Sequence, residues 1–310
     1  MPKSNPSDSN KVAIVGCGRV GMSAAFSLLH TGVVNELILY GRHKSEIVGE
    51  ELDLEHGIAF LHQATIHATE SYEDLANSDV VIVTAGASQK PGDTRLDLAA
   101  KNVSIMESII PEIVKVAPEA VIILVSNPVD VLTYKAYQMA GLPKGQIFGS
   151  GTVLDTSRFR FHLSEFLKVN PRSIHAYILG EHGDSSFPVI SQATVGGQPL
   201  NEFPNFSDKK VLEAYEKARK AAYTIIESKG ATYYGIAAVL SHIVKCVLTD
   251  SKSVLPVSIP LHNFHGHSGV ALSVPCVVGR RGVETILQPK LSWEEKQDLE
   301  KSVNTLKQYL

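Results

Sequence analysis

The chain reads as an α/β protein, with a doubly wound parallel sheet in its N-terminal half and a mixed α+β C-terminal half. Three observations predict this. Short apolar runs alternate with helical patterns through the first half. A glycine-rich run, Gly16-Cys-Gly-Arg-Val-Gly21, joins the first apolar run to the first helical pattern. Past Gly149 the rhythm changes to longer helical stretches and separate β patterns. Strand–helix alternation of the first kind argues for parallel strands covered on both faces, because each crossover lays a helix against the sheet.

Taken in order, residues 11–15 form the first predicted strand, and glycines lead from it into a helix over 20–30. Strand 36–40 precedes a helix over 45–60, and strand 79–84 leads through a Gly/Pro-rich stretch into a helix over 96–116. A strand at 121–125 and a helix opening at Pro128 close the alternation. The second half begins with a helix over 153–168, stopped by Asn170-Pro171. Strands at 173–179 and 189–195 follow, then a helical region over 208–248 interrupted at Gly230. β patterns at 254–261 and 270–278 precede a polar helix over 293–310. The expected division is a dinucleotide-binding domain at 1–149, with a flexible tail at 1–10, and a catalytic domain at 150–310.

Composition narrows the function. The 310 residues suit two domains of roughly 150 residues. Lys plus Arg total 29 against 32 Asp plus Glu, a net charge of −3, which argues against a nucleic-acid binder. Cys17, Cys246 and Cys276 are too few and too widely spaced for a disulfide framework or a zinc ribbon, and they fit a reducing compartment. Neither a signal peptide nor a membrane-length apolar stretch is seen, so the expected location is cytoplasmic.

A glycine triplet of this spacing is a weak signal alone. Placed directly after a strand and opening a helix, it reads as a dinucleotide-phosphate turn. Gly16 allows the turn, Gly18 lets a pyrophosphate approach the backbone, and Gly21 permits close helix–sheet packing. The helix N-terminus, Val20 included, supplies amides and positive potential. The acidic residue expected about 20 positions later, on the ribose 2′-hydroxyl, is missing. The second strand ends Leu39-Tyr40-Gly41-Arg42-His43-Lys44. Gly41 stands where a carboxylate would repel a 2′-phosphate, and Arg42 begins a cationic run, so the cofactor is expected to be NAD or NADP. The plain alternative is a loop that lost its carboxylate and carries solvated charges.

Of twelve histidines, His182 stands out, in Gly180-Glu-His-Gly-Asp184 after a predicted strand. The helix beginning near Thr152 carries Asp155 and Arg158, which at i and i+3 lie about 60° apart on one face. That face would offer a carboxylate to orient an imidazole and a guanidinium to hold a substrate carboxylate. An ordinary surface ion pair is the plain alternative.

Five segments together carry a resemblance: Ala85-Gly-Ala-Ser-Gln-Lys-Pro-Gly-Asp-Thr-Arg95, Ser126-Asn-Pro-Val-Asp130, Gly149-Ser-Gly-Thr-Val-Leu-Asp-Thr-Ser-Arg158, Gly180-Glu-His-Gly-Asp184 and Lys229-Gly-Ala-Thr-Tyr233. In order and spacing they resemble the lactate/malate dehydrogenase family over nearly the whole chain after Asn10. The resemblance implies a Rossmann domain and reversible hydride transfer between a nicotinamide cofactor and pyruvate/L-lactate, in a homotetramer. It makes His182 the proton donor, Asp155 its partner, and Arg95 the group that polarises the carbonyl from a closing loop. Arg158 would grip the substrate carboxylate, and Asn127 would hydrogen-bond near the reacting oxygen and border the cofactor. Thr232 would line the pocket, Ile236 would pack on the nicotinamide, and Ala85 and Gly86 would border the dinucleotide. Without the resemblance, Asn127 reads as a turn residue before Pro128 and Thr232 as a helix cap after Gly230.

Within the family, the residue at Gln89 reads the substrate side group, and malate enzymes carry arginine there. Glutamine leaves a second carboxylate unpaired, at about 3–5 kcal/mol, or roughly two to four orders of magnitude in favour of pyruvate. Lys90 is expected to be solvated. The rival readings are a malate or broader 2-hydroxyacid dehydrogenase and a non-enzymatic NAD(P)-binding redox sensor. Arg160 points about 200° from Arg158, and His175 lies an odd number of residues before His182. The resemblance extends to bacterial enzymes that bind fructose 1,6-bisphosphate at these two positions, which makes it the expected effector; two unrelated surface groups are the alternative. His262-Asn-Phe-His-Gly-His267 reads as a solvated hairpin, and no metal is expected.

Overall fold

Strands that are apolar on both faces must lie between two layers, and here they form the middle of a nine-stranded sheet. The structure, a computed structural model, describes residues 10–87 and 95–310. Strands β1 (Lys11–Val15), β2 (Glu36–Tyr40), β3 (Thr65–Thr69), β4 (Val80–Val83), β5 (Val121–Leu124) and β6 (Ile147–Gly149) are parallel, in the spatial order β3-β2-β1-β4-β5-β6. Helices α1 (Arg19–Leu29), α2 (Val48–Gly57), α3 (Arg95–Val116) and α4 (Val129–Ala140) lie among the connections. Alternate residues of one strand feed opposite cores. Val12 and Ile14 enter one cluster with Leu37 and Leu39, while Ala13 and Val15 enter the other with Val81 and Val83. Strand order reverses between β1 and β4, which opens a crevice at their C-terminal ends.

The second half contributes α5 (Val153–Leu167), β7 (Ile174–Leu179), β8 (Phe187–Val195), β9 (Gln198–Pro199), α6 (Asp208–Lys229) and α7 (Tyr234–Leu248). It ends with β10 (Ser253–Pro260), β11 (Ala271–Gly279), β12 (Gly282–Ile286) and α8 (Trp293–Lys307). Strands β7-β8-β9 make a small antiparallel sheet, and α5 and α6 close a core of Phe159, Leu163, Ile178 and Val211 beside it. β10, β11 and β12 go elsewhere: β10 joins the large sheet antiparallel to β6, with Ser258 opposite Gly149, and β11 and β12 continue it, each antiparallel to the strand before. The two halves therefore share one sheet, and the expected division after residue 149 coincides with the end of β6.

Most predicted elements appear within a few residues of their expected ends. The helix expected over 45–60 is shorter, flanked by 3-10 turns at Lys44–Glu46 and Ile58–Phe60. Four strands escaped the sequence reading: β3, β6, β9 and β12. β3 and β12 are edge strands, β6 has three residues and β9 two, so none makes a long apolar run. The long helical region breaks at Gly230, which caps α6 with φ +83°. The final helix stops at Lys307.

Candidate active site

At the crevice, Gly16 leaves β1 with φ +111°, and a Cβ there would lie 2.5 Å from the Ala85 nitrogen. A Cβ on Gly21 would come within 2.1 Å of the Gly16 carbonyl oxygen. These two positions let the turn and α1 close onto the sheet. At Gly18 a side chain would instead project into space clear of other protein atoms for 4 Å. Gly18 caps α1 without a side-chain bond, and the first turn carries no acidic residue. An eleven-residue helix thus presents bare amides and the positive end of its dipole at the strand-order reversal, which fits a dinucleotide pyrophosphate. Val20 lies in that first turn, packed against the main core.

The facing wall is held by one buried side chain. Asn102, 1% exposed, accepts from the Ala87 N–H at 2.7 Å and donates to the Ala87 and Asn127 carbonyls at 3.2 and 2.7 Å. Ala85 N–H donates to the Val15 carbonyl, and Ser126 Oγ donates to the Ala85 carbonyl at 2.6 Å. Gly86 lies against Ser126 and Asn102. The segments after β4 and β5 are thereby fixed beside the glycine turn.

The catalytic candidates meet where α5 adjoins the end of β7. Thr152 Oγ1 donates to the Ile178 carbonyl at 2.5 Å, and Thr156 Oγ1 accepts from Ile178 N–H at 2.9 Å. Both bonds pin the first turn of α5 to the strand that leads into His182. His182 Nδ1 then lies 2.7 Å from Asp155 Oδ2, and Arg158 Nη1 donates to Asp155 Oδ1 at 3.1 Å. Burial lowers the proton affinity of His182, but the Asp155 carboxylate outweighs it and pushes the imidazole up to about 9. Burial also works against the Asp155 charge, yet His182 and Arg158 hold its carboxyl below the usual range. Near neutral pH the pair is an imidazolium and a carboxylate. With Nδ1 on Asp155, Nε2 is the nitrogen free to give up a proton. Asn127, Asp155, Arg158 and His182 line one cleft of about 260 Å³ with Tyr223 and Ile226 of α6.

Asp130 completes this arrangement. It is 2% exposed, accepts from the His182 backbone N–H at 2.7 Å and from Ser258 Oγ at 2.6 Å, and burial pushes its carboxyl up to about 6. On the other flank, the Glu181 N–H donates to Ser302 Oγ of α8 at 2.9 Å, and Ser185 donates through N–H and Oγ to the Glu181 carboxylate. The His182 segment is thus anchored to α4 and α8. The acidic residue in Ser126–Asp130 was the only sequence signal for Asp130, because Ser258 lies 128 positions away.

The profile of the lactate/malate dehydrogenase NAD binding domain matches residues 10–149, and that of the family's alpha/beta C-terminal domain matches residues 152–310. The chain belongs to the lactate/malate dehydrogenase family. L-lactate dehydrogenase 1 of Clostridium acetobutylicum is 44% identical, over 97% of this chain and 98% of that protein. The L-lactate dehydrogenase of Halalkalibacterium halodurans is 45% identical, over 96% of each. Among solved structures, the minor L-lactate dehydrogenase of Enterococcus mundtii superposes with a TM-score of 0.93 at 40% identity, covering 97% of both chains. A lactate dehydrogenase from a Medee basin deep-sea metagenome library gives a TM-score of 0.94 at 37% identity, covering 97% of this chain and 98% of that one.

Other residues singled out by the family resemblance fall differently. Gln89 and Lys90 lie outside the described residues, as does the side chain of Arg95, whose backbone opens α3. Thr232 lies in the α6–α7 connection and Ile236 in the first turn of α7, packed on the main core; neither lines the cleft with His182. Gly41 follows β2, its N–H donating to the Thr69 carbonyl at 3.1 Å, and Arg42 is exposed. Arg160 Nε donates to the Ala176 carbonyl at 2.9 Å, and its guanidinium lies 5.0 Å from the Tyr177 ring centre. His175 is exposed on β7 beside them. The alternation argument relating His175 to His182 does not apply, because β7 ends at Leu179 and its register shifts between His175 and Tyr177. His262–His267 turns between β10 and β11, with Phe264 and His267 bonded through their backbones. Among the described residues no cluster of metal-ligating side chains is present, and no helix is long and apolar enough to cross a membrane.

Proposed function

We propose that this enzyme is an L-lactate dehydrogenase, catalysing reversible reduction of pyruvate with a nicotinamide cofactor. The observation that carries the reading is the Asp155–His182 pair, with Arg158 beside it, in one cleft at the end of β7. When bound, the reduced nicotinamide supplies hydride to the carbonyl carbon. Arg158 pairs with the substrate carboxylate through the N–H donors not used by Asp155. His182 Nε2 donates its proton to the carbonyl oxygen as negative charge develops there. Asp155 holds the ring orientation and stabilises the imidazolium before transfer, and His182 is left neutral afterwards. Arg95 polarises the carbonyl, Asn127 hydrogen-bonds near the reacting oxygen, and Gln89 favours a methyl over a second carboxylate. Thr232 borders the substrate, and Ile236 packs against the nicotinamide.

Gly41 and Arg42 support use of NADP as well as NAD, since no carboxylate on residue 41 opposes a 2′-phosphate. Arg160, bonded to the Ala176 carbonyl, and exposed His175, the residue before Ala176, support an anion site for fructose 1,6-bisphosphate where subunits of a homotetramer meet. The free cysteines support a cytoplasmic location.

Pyruvate-dependent oxidation of NADH and NADPH, compared as kcat/KM with and without the bisphosphate, tests these statements together. Turnover is expected with pyruvate, and oxaloacetate is expected to be at least about a hundredfold poorer. Faster turnover of oxaloacetate would make the enzyme a malate dehydrogenase; cofactor binding without any turnover would favour the sensor.

A further inference from the structure

β2 ends without a carboxylate, but the neighbouring strand end has one. β2 and β3 are parallel with Tyr40 opposite Thr69, so Gly41 and Glu70 are the next pair along the C-terminal edge, on strands about 4.8 Å apart. The Gly41 N–H donates to the Thr69 carbonyl, which places Gly41 directly against the Thr69–Glu70 peptide. Glu70 is exposed, yet its carboxylate is tied to the loop after β2. Its Oε2 accepts from the Lys44 N–H at 2.8 Å, so the carboxylate folds back over the loop Gly41-Arg42-His43. Position 41 itself has little room: a Cβ there would sit 3.2 Å from Ile47 Cγ2. The edge holding this carboxylate is two strands from the glycine turn after β1, on the side away from β4 and the His182 cleft. The adenosine half of a dinucleotide whose pyrophosphate rests on α1 extends in that direction.

We propose that Glu70 supplies from β3 the ribose-facing carboxylate that β2 lacks. It accepts from the adenosine ribose hydroxyls and repels a 2′-phosphate, so it orders the cofactors with NADH ahead of NADPH. Without its charge, the exposed Arg42-His43-Lys44 loop to which it is bonded keeps its cationic residues and loses the carboxylate that offsets them. This rests on reading the crevice as the dinucleotide site.

The rival role for Glu70 is purely local, a cap on the 3-10 turn that Lys44 opens. Glu70→Gln separates the two, because the amide oxygen keeps the bond to Lys44 N–H while the charge is lost. The measurement is direct binding of NADH and NADPH by fluorescence titration, with 5′-AMP and adenosine 2′,5′-bisphosphate titrated by calorimetry. Glu73→Gln, an exposed acid three residues on, is the control for a general change in surface charge. In Glu70→Gln the NADPH-to-NADH affinity ratio is expected to rise about tenfold, more at low salt, with the same shift between the two adenosine phosphates. An unchanged ratio with both cofactors still bound overturns the role of Glu70. An equal rise in Glu73→Gln also overturns it, since the effect is then not positional. Failure of the parent protein to bind any of the four ligands overturns the dinucleotide reading itself.

Discussion

The two ends of the functional region are built in opposite ways. At the β1–β4 crevice the working groups are backbone amides, exposed because Gly16, Gly18 and Gly21 remove side chains from the approach. At the α5–β7 end the working groups are side chains held by other side chains: Asp155 by His182 from another segment and by Arg158 one helical turn on, with the His182 backbone held by Asp130 and Asp130 by Ser258. The first end fails when an atom is added, the second when a charge is removed.

Removing the proton donor should cost most. His182→Gln is expected to lower kcat for pyruvate by about 10²–10⁴ while leaving NADH affinity, read by fluorescence, nearly unchanged. A variant within fivefold of the parent would exclude His182 as the donor. Arg158→Gln should follow, raising KM for pyruvate and lowering kcat/KM by roughly 10²–10³, since a charge-assisted pair with the substrate carboxylate is lost. If the loss lay in kcat alone, Arg158 would not be the carboxylate grip. Gly16→Ala tests the other end. Its Cβ would strike backbone at Ala85, so weaker NADH binding and a lower Tm are expected, at about 1–3 kcal/mol. Parental NADH affinity with a parental Tm would refute the close packing.

Smaller effects lie in the pH profile. The imidazolium is the reactive form for reduction, so pyruvate kcat/KM is expected to hold below the His182 value of about 9 and to fall as pH rises through it. Lactate oxidation needs the neutral ring and should rise over the same range. Asp155→Asn should move the midpoint down by a unit or more, and Asp130→Asn by less, because both carboxylates favour the charged ring. A midpoint that moves up in either variant would contradict the geometry. The same sign applies to stability: the contribution of the charged pair is complete below the ordinary histidine value of 6.5 and is lost as pH rises through about 9.

Much of this was legible in the chain itself. The apolar runs at β1, β2, β4 and β5 are buried on both faces and marked by composition alone, whereas β3 and β12 lie at sheet edges and β6 has three residues. The Asp155–Arg158 face followed from helix geometry, since i and i+3 are neighbours on any α-helix. That His182 would complete it did not follow from spacing. Thr152 and Thr156, bonding across to Ile178, bring the two segments together, and those bonds join residues 22 and 26 positions apart.

By itself the sequence determined the strand–helix order, the glycine turn and the helix face carrying Asp155 and Arg158, because these depend on local geometry and short-range periodicity. Tertiary structure decided that β10, β11 and β12 would extend the N-terminal sheet, that Asp130 would be buried against the His182 backbone, and that Glu70 would fold over the end of β2. Those outcomes depend on which strand edges pair and which polar groups must find partners when water is excluded, and both are settled between residues far apart in the chain.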